Sequence, residues 1–592
     1  MPDGGFTFVL HSHMPFYRGA GKWPHGEENL HEVMAETYVP LLEALTDLHE
    51  AGVRARVTLG ITPVLAEQLA DALITRDFEA YLEQEILSAS EDVKRFEQGG
   101  DQHFLYLAHF YLDWYLHILE IFRTRFNRDI VGGFRRLQDA GVVEILTSAA
   151  THAYLPLMQR DSTLRAQLAI GKRSTERHFG RTPRAIWLPE CAYRPAYYAM
   201  TPEGGQYTRP GLETWLDEAN LRLFFSESSA VEGSRVLGRA ERETREVAAA
   251  AEPQLVGGGS DIYGQAGQAI EQMGARQPGW VTEKRVVPFD GAGRTAVENG
   301  GTFEAYLVRD SDVAVLGRNR TIGEQVWAAA VGYPGDPVYR EFHRKDPEHG
   351  FQYWRVTDNQ ADIAYKQPYE PYNAGKQVQM HADHFVSLVR ENLAEHAKKH
   401  GEPGIIVAAY DTELFGHWWF EGVDWLKRVL TQLAETPGVE LTTASDWLEA
   451  HPADKVIDLP ESSWGHAGTH ITWINPETTW MWAAVHAAES RMEGLVDRHP
   501  NAEGSALAAL NQAARELVLL QASDWEFLYT TGQARQYAGD RFSEHVERFN
   551  DLSAALEGQA DDDTLAQLAA RYAERDNLFP DIDYRLFAAT QP

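Results

Sequence analysis

Seven short apolar runs punctuate the chain: FTFVLH (residues 6–11), RVTLG (56–60), VVEILT (142–147), AIWLPE (185–190), LRLFFSE (221–227), IIVAAYD (405–411) and VELTT (439–443). Each is separated from the next by stretches that carry helical periodicity. A strand with one wet face alternates apolar and polar positions, whereas a nearly continuous apolar run is buried on both faces, as parallel strands between helices are. The pattern therefore predicts an α/β protein, most simply a parallel β/α barrel. Six of the seven runs end in, or are closely followed by, polar side chains: His11 and His13, residues 147–152 with His152, Glu190, Ser226 and Glu227, Asp411, and Thr443 with Ser445. Reactive groups of such barrels stand at the carboxyl ends of strands, so these side chains belong on one rim.

The runs are unevenly spaced, and the long gaps predict inserted pieces. Residues 64–137 read as helices, an excursion after the second strand. Residues 229–301 turn to Gly, Ala and Glu with few aromatics, which predicts a long surface insertion, either disordered or a lid over the rim. From about residue 458 to 592 the periodicity is helical throughout. The expected organisation is a catalytic barrel over residues 1–63 and 138–457, a helical insertion over 64–137, the acidic segment 229–301 within the barrel, and a C-terminal helical domain over 458–592.

Charge narrows the partners. With 54 Lys and Arg against 87 Asp and Glu the formal net charge is −33, a field that repels phosphate backbones and anionic membranes. Nucleic acid and membrane are excluded as partners on that ground. Lysine is scarce beside arginine, and such an acidic surface fits a salt-rich cytoplasm, where screening removes self-repulsion; thermal stability should then rise with salt. A single cysteine rules out an intramolecular disulfide and a cysteine-based zinc knuckle. The N-terminus lacks the basic flank and apolar length of a signal peptide, and no segment reaches the ~18 apolar residues of a membrane span, so a cytoplasmic location is expected. Whether the chain is a monomer or a homodimer is not written in the sequence.

Glu190 and Asp411 stand at strand ends, where a carboxylate is costly to bury without a purpose or partner. Two carboxyls on one rim are the minimal kit for breaking a glycosidic bond, one attacking or activating water and the other protonating the leaving oxygen. The plainer alternative is that each caps a helix or pairs with an arginine such as Arg194. His11 and His13, two apart on a strand, share a face; they suit metal ligation, as in a metal-dependent carbohydrate deacetylase, or hydrogen bonding to sugar hydroxyls. Cys191, beside an acid that raises its pKa, reads as packing rather than nucleophile. Aromatics cluster at 325–336, 410–422 and 462–482, and flat rings are the usual lining of glucan clefts. SDIYGQAGQ follows no strand, so a phosphate loop is not expected there.

Six blocks, in order along the chain, carry a family resemblance: HSHMPF with GKWPHGEENLHE, LTSAATHAYLPL, WLPECAY, QVWAAAVGYPGDPVYREFH, AYDTELFGHWWFEG and SSWGHAGTHITWIN. The chain resembles glycoside hydrolase family 57, and within it the α-1,4-glucan branching members. The resemblance implies an incomplete seven-stranded (β/α)7 barrel with a helical insertion and a helical C-terminal domain. It also implies a retaining mechanism without metal or cofactor, acting on an α-glucan such as amylose, starch or glycogen. By it, Glu190 is the nucleophile and Asp411 the acid/base; His11, His13 and His152 line the site; Trp23, Trp327, Trp464 and Trp473 contact glucan. Retention further implies carboxyl groups held ~5 to 5.5 Å apart. The acceptor decides the product: water gives an amylase, a 4-OH a 4-α-glucanotransferase, a 6-OH a branching enzyme. A glucan-binding protein without turnover is the non-enzymatic alternative. Two features depart from the pattern: the segment 229–301 is expanded, with Tyr263 its candidate tip residue, and Asn29 follows GEE where some relatives have an aromatic.

Overall fold

The computed structural model describes residues 2–22, 25–200, 205–247, 279–287, 299–328, 332–358 and 360–589, with the backbone alone over 242–247 and 279–285. Its strands are β1 (Gly4–Ser12), β2 (Val57–Ile61), β3 (Val143–Leu146), β4 (Ala185–Ile186), β5 (Tyr197–Met200), β6 (Gln206–Arg209), β7 (Leu223–Ser226), β8 (Arg235–Val247), β9 (Gly279–Val287), β10 (Ala305–Val308), β11 (Ala314–Gly317), β12 (Gly404–Asp411), β13 (Val439–Leu441) and β14 (Lys455–Asp458). Parallel pairing runs β12-β1-β2-β3 in one sheet and β4-β7-β11 in the other. A parallel bridge between Thr147 and Ile186 joins the two sheets, and on the far side the Asn319 amide just past β11 donates to the Val407 carbonyl of β12 at 2.9 Å.

All seven apolar runs form strands, but one stands elsewhere than the pattern suggests. VELTT becomes β13, which shares an edge of β1 with β2: residues 4–6 pair with 439–441 and residues 9–12 with 58–61. The parallel neighbour of β7 opposite β4 is instead β11, the four-residue run AVLG, too short to stand out by periodicity.

Side-chain alternation along these strands aims the chemistry. Phe6, Phe8 and Leu10 of β1 and Ile406, Ala408 and Tyr410 of β12 pack outward against helices. Val9, Ile405, Val407 and Ala409 pack inward with Leu146, Trp187, Cys191 and Phe225. The period of two carries that inward parity to His11 and Asp411, which are register partners across β1 and β12.

Helices Ala72–Gly99 and Gln102–Thr124 fill the stretch after β2. Asp71 caps the first by accepting from the amides of Leu73 and Ile74, Gly100 ends it in the left-handed conformation, and Asp101 caps the second; each such cap is worth about 1 kcal/mol. A helical C-terminal domain follows β14, with helices Thr479–Arg498, Gly504–Leu520, Asp524–Thr531, Arg535–Glu557 and Asp562–Ala573. Its Leu510, Leu517 and Trp525 share one core with Ile186, Leu188 and Phe224 of the sheet, so the domain is seated on the rim. Within 229–301, where composition marks no strands, β8 and β9 form an antiparallel ladder that continues the sheet from β14.

Candidate active site

A cleft of about 400 Å³ opens at the carboxyl ends of the parallel strands, lined by His11, His13, His152, Glu190, Asp411 and Trp464 from the rim and by Asp524, Phe527, Leu528 and Tyr537 from the C-terminal helices. Glu190 reaches it because β4 breaks off after two residues into a single turn, Pro189–Cys191, in which Glu190 takes φ 58°, ψ 23°. Cys191 and His152 also hold positive φ. Each left-handed non-glycine residue costs roughly 1–2 kcal/mol, and three of them in and beside one cleft mark a backbone held in place by its surroundings. The Glu190 carbonyl accepts from the Trp464 amide at 2.8 Å.

The three histidines form one chain of contacts. His11 Nε2 lies 3.0 Å from His152 Nε2, His152 Nδ1 lies 2.9 Å from Ser523 Oγ, and the Ser523 hydroxyl donates to Glu190 Oε1 at 3.1 Å. Burial holds both His11 and His152 well below the usual imidazole range, and a charge on His13 lowers them further. With both rings neutral, one tautomer assignment satisfies the chain: His11 donates to His152, His152 to Ser523, and Ser523 to Glu190. His13 stacks on His152, ring centroids 3.8 Å apart. Its Nε2 meets the Asp524 carboxylate at 3.0 and 3.2 Å, and its Nδ1 meets Thr62 Oγ1 at 3.1 Å.

The pattern of blocks that lines this cleft is matched by comparison with known proteins. The model of glycosyl hydrolase family 57 matches residues 7–460, and that of the C-terminal region of 1,4-α-glucan branching enzymes matches residues 484–587. The chain belongs to glycosyl hydrolase family 57. A 1,4-α-glucan branching enzyme of Thermococcus kodakarensis is 42% identical over 584 residues, 97% of this chain and 77% of that protein. The crystal structure of a GH57-type branching enzyme from Pyrococcus horikoshii is similar at 40% identity and a TM-score of 0.83, over 100% of this chain and 98% of that one. That of the α-amylase AmyC from Thermotoga maritima is similar at 29% identity and 0.77, over 100% of both.

In this family 57 chain, burial pushes both candidate acids upward. Glu190 rises to about 8, through desolvation first and then the nearby charge of Asp524, with the Ser523 bond opposing. Asp411 rises to about 6 by desolvation, with Arg318 and His13 opposing. Burial thus favours a protonated carboxyl in the pair over the neutral pH range.

Residues the sequence reading passed over complete the site. Glu413 follows Asp411 by two, accepts from the Tyr38 hydroxyl and from the His13 amide at 3.0 Å, and is raised to about 8, chiefly by burial. Its spacing from Asp411 was the available signal. Glu227, already marked by its place after a strand, accepts from Trp464 Nε1 at 2.8 Å and from Arg318 at 2.9 Å, which orients the Trp464 ring. Ser523 and Asp524 carry no local mark, since ASDWEF reads only as a helix start.

Of the aromatics implied by resemblance, Trp464 lines the cleft. Trp327 is 37% exposed beside Trp418, a cleft residue whose ring is 6.3 Å away and near parallel. Trp473 is a correction: at 1% exposure, stacked on Tyr154 at 4.3 Å, it offers no face to a glucan and supports the wall from behind. Trp23 and Tyr263 lie outside the described residues. Cys191 is buried with its thiol 3.5 Å from the Phe225 carbonyl, and burial raises its pKa well above the usual range, which suits packing. No helix among the described residues is long and apolar enough to cross a membrane.

Proposed function

We propose that this chain is a 1,4-α-glucan branching enzyme of the retaining type. The observation that carries the reading is that the region resembling the branching-enzyme C-terminus, residues 484–587, contains the second wall of the cleft. The helix Asp524–Thr531 and the serine before it touch Glu190 and His13 directly. Glu190 attacks the anomeric carbon of an α-1,4-linked glucosyl residue; the bond from that carbon to O4 breaks, and the departing oxygen takes the proton of Asp411. The Asp411 carboxylate then accepts the proton of a glucan 6-OH, whose oxygen attacks the same carbon and releases Glu190. The first step needs Glu190 ionised and Asp411 protonated, an arrangement in which the pair holds one proton.

On this reading His11, His13 and His152 fix the reacting sugar, and Trp464 and Trp327 hold glucan rings. The ring of parallel strands is an incomplete (β/α)7 barrel over residues 1–63 and 138–457, with the 64–137 helices inserted and 458–592 closing the cleft. The site works without metal or cofactor, in the cytoplasm. The test is incubation with amylose followed by linkage analysis: new α-1,6 linkages are expected, and reducing ends alone would assign an amylase.

A further inference from the structure

Shortly after Glu190 the chain leaves the rim as a two-stranded antiparallel ribbon, β5 and β6, in which Tyr197 faces Arg209 and Ala199 faces Tyr207. Both faces of the ribbon meet solvent: Tyr198 is 84% exposed, Tyr197 41% and Tyr207 39%. Among its eight residues only Arg209 is charged, in a chain whose residues are 24% charged. Arg209 is itself buried, donating to the Tyr197 hydroxyl at 3.2 Å and to Asp161 at 2.9 Å. The Arg194 guanidinium lies 4.9 Å from the centre of the Tyr197 ring. Tyr197 is thus held at its hydroxyl and against its ring before any ligand arrives, which lowers the ordering cost of binding.

The root of the ribbon is joined to a cleft residue's loop by backbone pairing. Tyr193 at its root bridges to Ser462, two residues before Trp464, whose amide holds the Glu190 carbonyl. Exposed rings of this kind mark an interaction surface. The absence of charge on it, within a strongly acidic molecule, favours an uncharged partner. Phenol rings suit one that has apolar faces and a rim of hydroxyls. A cleft of about 400 Å³ encloses only a short piece of a polymer, so the remainder of the chain runs over the adjoining surface.

We infer that the β5–β6 ribbon is an accessory platform for a linear α-glucan chain, the rings of Tyr197 and Tyr207, diagonal neighbours on one face, stacking on glucose units that extend beyond the cleft. The inference rests on the glucan reading of the site. Affinity electrophoresis of the full chain through gels containing amylopectin tests it. The double variant Tyr197→Ala/Tyr207→Ala should be retarded less, with an apparent Kd weakened about fivefold, and its KM for amylose should rise by a similar factor. Its turnover on maltoheptaose should stay within about twofold of wild type. Tyr197→Phe/Tyr207→Phe, which keeps the rings, should restore retention. Equal retardation of wild type and the alanine variant overturns the inference, as does a change of oligomeric state on a sizing column with glucan retention intact, which would assign the rings to a contact between copies. Wild-type retention is read independently of the linkage formed, so failure of the platform and failure of the branching reading are separable.

Discussion

The two walls of the cleft are built by different rules. On the rim, Asp411 and His11 follow from strand parity: they continue the inward-facing positions of β12 and β1 and stand opposite one another in register. On the facing wall, Ser523 and Asp524 come from the start of a helix in the C-terminal domain and reach their partners across 333 to 511 residues of sequence. On the proposed reading the rim supplies the reacting groups, while the helical wall adds to the burial of Glu190 a charge that raises it and a hydroxyl that lowers it. Variants on the two walls should therefore fail in different ways.

The largest effect is expected on the rim. Glu190→Gln should lower turnover of amylose by about 10⁴-fold or more, since no covalent intermediate can form; turnover near the wild-type rate would remove Glu190 from its role. Asp411→Asn should cost about 10²- to 10⁴-fold on starch, with an unchanged circular dichroism spectrum, because the leaving oxygen loses its proton donor.

Crossing to the helical wall should change the pH profile more than the maximal rate. The productive pair holds one proton, so kcat/KM should be bell-shaped, falling below about 6 as the second proton binds and above about 8 as the last one leaves. The charge of Asp524 disfavours ionised Glu190, so Asp524→Asn should move the alkaline limb to lower pH; a limb that stays in place would sever the two walls electrostatically. Ser523→Ala removes a hydrogen bond that stabilises the Glu190 carboxylate, and it should shift the alkaline limb the opposite way with about a tenfold loss of kcat/KM. The smallest effect belongs to Cys191→Ala. It should leave activity within about threefold and lower stability by about 1 kcal/mol, as measured by urea unfolding, because the thiol only fills space between strands.

Much of the rim was legible beforehand because strands buried on both faces advertise themselves as apolar runs, and the first polar residue after each is placed by the period of two. Legibility failed where that signal was too short or misleading. The AVLG strand offers only four residues, too few to show a period of either kind. VELTT looked like the other runs but shares an edge already occupied in part by β2, a matter of neighbours rather than of its own composition. Trp473 shows the same limit for aromatics: its block was recognisable, yet the stacking on Tyr154 that turns it inward is a tertiary fact.

By itself, then, the sequence determined the alternation of strands and helices, the strongly acidic balance of charge and the two carboxyls at strand ends, because these depend on composition or on residues close together along the chain. Only the tertiary structure decided that Glu190 sits in a left-handed turn, that a serine and an aspartate more than 300 positions away adjust its proton affinity, and that Cys191 faces the packed interior of the strands. Those outcomes depend on desolvation and on charges a few ångströms away, and folding alone brings them together.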